Sequence, residues 1–230
     1  MAQLRTAMWS ATPIVLLTAA QPADAPRPAP ALVNLEMVTL HAAALSRSRG
    51  PADTSDAPFL VISIVDNHGR RETRSLGADG TWTLQADGAV GQTPAGQLAV
   101  EPGDSVRILV SVLEDQNRSG RPAVAEGFTR SAPAGPLGPA PTPESLTGPA
   151  RIMADRGTHW LGSASLLVVN DAGTARWSRF DCVVTCTVLR PPAASAAGAV
   201  LAAAEPTSAV VELSGAAATY HLQLALGLAR

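Results

Sequence analysis

Between residues 32 and 115 apolar and polar residues alternate with the period of two expected of strands, not the 3.6 of helices. Val33, Leu35, Met37, Thr39 and His41 form one face of a first strand, and Asn34, Glu36, Val38 and Leu40 the other. Phe59–Val65 (FLVISIV) is apolar on both faces, which predicts a central strand covered from two sides. Asp66-Asn67-His68-Gly69 then reads as a tight turn into a partner strand over Arg70–Leu76. A short strand is expected around Trp82 and Leu84. Pro102-Gly103 turns the chain into a strand with Val106, Ile108, Val110 and Val112 on one face.

The pattern fails between about residues 118 and 153. SAPAGPLGPAPTPESLTGPA keeps neither period and holds too many prolines for a hydrogen-bonded ladder, so this stretch is expected to be an insertion loop. Alternation resumes at Trp160, with a second hairpin turning at Asn170-Asp171-Ala172-Gly173 and continuing through DCVVTCTVL. The alanine-rich stretch over about 191–206 predicts a short helix or a linker. A strand is expected at Val210–Leu213, and a last one turns Tyr220, Leu222, Leu224 and Leu226 inward, with His221, Gln223 and Ala225 outward. Nine to eleven short strands separated by turns predict an all-β, antiparallel sandwich over 32–230.

The amino terminus adds a compartment. Arg5, the apolar run Pro13–Ala20 and the small residues Ala23-Asp24-Ala25 have the layout of a secretory signal over 1–25. A proline-rich tether follows over 26–31. The apolar run is too short to span a bilayer, so the expected location is extracytoplasmic, periplasmic or secreted. The chain has no lysine, and its abundant Ala, Gly and Pro match GC-rich bacterial coding. A net charge of −2 with no basic stripe argues against nucleic-acid binding.

Cys182 and Cys186 are separated by Val183, Val184 and Thr185, two of them valines and all β-branched. On a continuous strand their Cα atoms stand about 13 Å apart, beyond the roughly 7 Å limit for a disulfide. Two small core residues are therefore expected, unless a bulge or turn breaks the strand and restores the disulfide. His41, His68, His159 and His221 are scattered and match no local metal-ligand spacing, so only long-range assembly could join them. No nucleophile elbow, phosphate loop or dinucleotide fingerprint is present. Arg70, Arg71 and Arg74 with Glu72 make a dense charge cluster. It reads as a solvated edge that discourages strand pairing, or as a contact for an anionic surface.

Thr54-Ser55-Asp56-Ala57-Pro58-Phe59, Val110–Leu113 with Glu114-Asp115, and Thr158-His159-Trp160-Leu161-Gly162 stand in that order along the chain. These three segments resemble the C-two family, the eight-stranded sandwiches that bind calcium and phospholipid. The resemblance implies a C-two-like form of the sandwich, with an immunoglobulin-like form as the alternative, and a calcium site at one loop end, with Asp56 and Asp115 at matching positions and Asp53, Glu114 and Asp155 nearby. The proline-rich insertion stands where the family carries its spaced aspartates. The sequence therefore favours an exported, non-catalytic binding or structural module with a protein, envelope or lipid-headgroup partner. Calcium-dependent membrane or partner binding is the alternative, and a hydrolase using loop carboxylates is a third.

Overall fold

The computed structural model describes residues 29–45, 55–78, 82–92, 95–115, 158–183, 186–192, 198–202, 205–215 and 218–229. The expected signal segment, the insertion over 118–153, Asp53 and Asp155 lie outside the described residues. Every described element is β: β1 (Ala31–Ala44), β2 (Ser55–Asp56), β3 (Pro58–Asp66), β4 (Arg71–Leu76), β5 (Leu84–Gln85), β6 (Ala89–Gln92), β7 (Gly96–Val100), β8 (Ser105–Asp115), β9 (Thr158–Asp171), β10 (Thr174–Val183), β11 (Cys186–Arg190), β12 (Ala199–Val200), β13 (Thr207–Ser214) and β14 (Thr219–Leu228). Three of these, β2, β5 and β12, are only two residues long.

They form two packed antiparallel sheets. The first runs β11-β13-β14-β1-β6, with β7 also on β1, and the second runs β12-β10-β9-β8-β3-β4. A two-stranded ribbon, β2-β5, lies apart from both. The core between the sheets takes Leu60, Ile62, Ile64, Val106, Ile108, Val110 and Val112 from one side. Tyr220, Leu222, Leu224 and Leu226 come from the other. These are the inward residues expected from the alternation.

β3 is buried along its whole length, as its continuous apolar run predicts. Its hairpin to β4 turns at Gly69, whose φ of +77° suits glycine. The β9–β10 hairpin turns through Ala172 and Gly173, both at positive φ, which is the hand that matches strand twist.

Three expectations need correction. β1 does not keep one inward set: Val33 and Leu35 are buried, and then Val38, Leu40 and Ala42. A register shift between Leu35 and Met37 inserts an extra residue against β14 and exchanges the two faces. Met37, Thr39 and His41 therefore do not share a face with Val33.

The alanine-rich stretch is not helical where it is described. Ala199–Val200 pairs with Arg176–Trp177 as β12, and Ala199 and Leu201 enter the core. Tertiary burial of small apolar side chains outweighs helix propensity there.

The cysteines are not free core residues. Cys182 and Cys186 form a disulfide with Cα atoms 5.2 Å apart. The strand assumed to run through them ends: β10 closes at Val183 in one sheet, and β11 opens at Cys186 in the other. The bond sits where the chain crosses between the sheets, and the end of the strand at Val183 allows the cysteines within bonding range.

Candidate functional site

Two places carry the chemistry. The first is the loop end where the C-two resemblance lies. Pro58 pairs with Glu114, Glu114 with His159, and Asp115 with Thr158, so the three resembling segments lie side by side at one end of one sheet. Of the sequence-derived calcium ligands, Asp56 and Glu114 come together here, and both are buried. Asp115 ends β8, and Asp53 and Asp155 lie outside the described residues.

The two carboxylates share a neighbour that sequence reasoning had placed only as core. Tyr220, on β14, is fully buried, and its hydroxyl donates a short hydrogen bond to Asp56 Oδ2. Burial raises the phenol above its ordinary ionisation range, and the Asp56 bond, the Asp56 charge and the Glu114 charge push it further. Tyr220 is thus held as a protonated donor. Asp56 spends one oxygen on this internal bond, which joins the ribbon β2-β5 to the last strand of the first sheet. Among the described residues, no three His, Cys, Asp or Glu side chains are placed to hold a metal.

The second place is the open edge of the sandwich, where β4 of one sheet faces β7 of the other. A cavity of about 530 Å³ opens there. Ile64, Leu98 and Val106 give it an apolar floor, and Asp66, Arg70, Arg71, Glu72 and Glu101 give it a charged rim. Arg74 spans the seam: its Nε donates to Glu72 Oε1 at 2.6 Å and its Nη2 to the Gln97 carbonyl at 2.9 Å. The Gln97 side chain donates onward to Asn34 Oδ1 at 2.9 Å.

That carbonyl contact fixes the orientation of β7. The Gln97 carbonyl faces away from β1, toward β4. Ala99, two residues on, presents its backbone groups on the same side, and it lines the cavity. The cleft therefore combines apolar floor, charges of both signs and a strand edge that no described strand covers. Two arginines against three carboxylates leave no surplus of positive charge, which counts against a purely anionic ligand.

The floor of the cleft ends on a polar knot. Asp66 accepts from the Arg70 amide at 2.8 Å and the His68 amide at 3.0 Å, and its second oxygen takes a short bond from Arg70 Nε. Burial opposes the Asp66 charge, but the Arg70 contacts and the His68 amide outweigh it, so the carboxyl lies below its ordinary value. Asp104 accepts from Asn67 Nδ2 at 2.9 Å and meets His68 Nε2 at 2.9 Å. The Asn67 bond, against partial burial and with help from His68, lowers Asp104 likewise.

The arginine cluster read from the sequence thus divides. Arg70 and Arg71 rim a cavity, while Arg74 ties two sheets together. The signal for the cavity's other wall, GQLAV at 96–100, was a plain strand pattern without chemistry. No known family model matches this chain, and no curated protein matches it in sequence.

Proposed function

We propose that the chain is an exported, non-catalytic binding module that takes an extended segment of a partner protein in the cleft between β4 and β7. The observation that carries this is the cavity of about 530 Å³ beside an edge of β7 that no described strand covers. An added strand meets the outward backbone groups of Ala99 beside the Gln97 carbonyl that Arg74 already holds, its alternate side chains reach Ile64, Leu98 and Val106, and its charges meet the mixed rim. This is recognition by strand addition, where the main chain supplies affinity and the pockets supply specificity. The Cys182–Cys186 disulfide supports an oxidising compartment, since such bonds are uncommon in the cytosol.

Panning a displayed random-peptide library against the disulfide-intact full chain tests the reading. The expected outcome is enrichment of extended sequences alternating apolar and charged residues, with binding lost in Leu98→Asp. Enriched peptides that bind Leu98→Asp as well as the parent, or no enrichment at all, overturn it.

One observation favours a second reading, calcium-dependent membrane or partner binding: Asp56 and Glu114 converge at the loop end that resembles the C-two family. Calcium favours six to eight oxygen ligands, so the set would draw on Asp53, Asp115 and Asp155 as well. Calorimetry and thermal shift with calcium decide between the two. Heat and stabilisation lost in Glu114→Gln support this reading, and no response at millimolar calcium removes it.

A further inference from the structure

The four histidines match no motif in sequence, but the register brings two of them face to face. His41 on β1 is the direct cross-strand partner of His221 on β14, and His221 is in turn the partner of Glu212 on β13. Directly opposed residues in an antiparallel pair hold their Cβ atoms about 4.5–5.5 Å apart. The row continues to Ala89 on one side and Thr187 on the other, so it ends in small uncharged residues. Its neighbours Leu40, Ala42, Tyr220 and Leu222 point into the core, and the row therefore lies on the outer face of the first sheet. His41 is exposed and the His221 side chain is 37% exposed.

The hydrogen bonds of the two rings decide what they offer. His41 Nδ1 lies 3.2 Å from the Ala42 carbonyl. A carbonyl only accepts, so Nδ1 carries the proton and Nε2 of the neutral ring keeps its lone pair. His221 Nε2 lies 3.3 Å from Glu212 Oε2. The carboxylate accepts there, which leaves the lone pair of the neutral ring on Nδ1. Each imidazole thus has one nitrogen engaged by an oxygen acceptor and the other available as a ligand. Metal-binding histidines are commonly held in this way, by a backbone carbonyl or a carboxylate on the far nitrogen.

We propose that His41 and His221 form a surface site for one first-row divalent transition metal, with His41 Nε2 and His221 Nδ1 as ligands and water in the remaining positions. Glu212 is a positioning residue that orients the His221 ring. Two imidazole nitrogens and water suit copper(II) best, with zinc weaker, following the general affinity order of these ions. Calcium and magnesium, which prefer oxygen, are not taken. The site is on the sheet face, away from the edge cleft, and does not depend on any reading of that cleft.

The test is calorimetric titration of the full chain with copper(II) and with zinc(II), alongside electron paramagnetic resonance of the copper form. Expected are one ion per chain in the His-dependent step, copper bound more tightly than zinc, and nitrogen hyperfine structure from two imidazoles. Each of His41→Gln and His221→Gln weakens that step at least about tenfold. Glu212→Gln weakens it less and keeps the two-nitrogen signature, which separates positioning from ligation. His159→Ala leaves the step unchanged. The variants alter outward side chains, and thermal denaturation verifies their folding; His41→Asn and His221→Asn serve as the second pair. The proposal is overturned if the double variant His41→Gln/His221→Gln binds copper as the parent does, or if no bound copper shows two imidazole nitrogens.

Discussion

At the residue scale, Tyr220 connects parts of the chain far apart in sequence. Its ring fills the core, and its hydroxyl reaches Asp56 across the sandwich. Tyr220→Phe keeps the ring and leaves the Asp56 oxygen without that donor. The expected loss is about 1–3 kcal/mol, the cost of an unsatisfied buried acceptor, measured by urea denaturation; a loss near zero would show that water replaces the hydroxyl. The sequence showed Tyr220 as an inward residue through strict alternation with Leu222 and Leu224. Nothing in that pattern could reveal its partner, because hydrogen bonds between distant residues leave no local period. His41 and His221 were opaque for the same reason. Each was legible as a position on a strand, but their meeting depends on the pairing of the first long strand with the last.

At the scale of elements, the turns carried the clearest signals and set the hairpins. Asp66-Asn67-His68-Gly69 and Asn170-Asp171-Ala172-Gly173 fold as read, since only a few backbone conformations close a two-stranded turn. The β1 bulge was legible in part: after Glu36 the small and aliphatic residues shift from odd to even positions. An uninterrupted alternation was the simpler description and missed it. The polar knot at Asp66 and Asp104 has a measurable consequence. Both carboxyls titrate below their ordinary value in the folded chain. Their contribution is thus complete above the unfolded value of about 4, and it is lost as pH falls through that value toward the folded ones. Denaturation midpoints should hold steady above pH 5 and fall below pH 4. Asp104→Asn should reduce that acid-side slope, and an unchanged slope would place the sensitivity elsewhere.

At the scale of the whole molecule, the all-β sandwich followed from repeated short alternating runs, and the assignment of each strand to one of its two sheets did not. Cys182 and Cys186 show why: a β-branched run favours a strand, but crossing between layers is decided by what each flank pairs with. The disulfide pins that crossing. For so short a loop the chain-entropy argument gives about 2 kcal/mol, so Cys182→Ser/Cys186→Ser should lower stability by that amount in denaturant titrations. Reduction of the parent should reproduce the loss. Equal stability of the reduced and oxidised chains would mean that β10 and β11 hold the crossing without the bond.

The pairing of β1 with β14 joins Val33 to Leu228, nearly the full span of the described domain. Contacts of such long sequence separation are formed late, because closing the intervening chain costs entropy before any contact repays it. During synthesis β1 therefore has only the short strands β6 and β7 to pair with until β14 has left the ribosome. The first sheet cannot close before its last strand is made, and until then the inner face of the second sheet lacks its full cover.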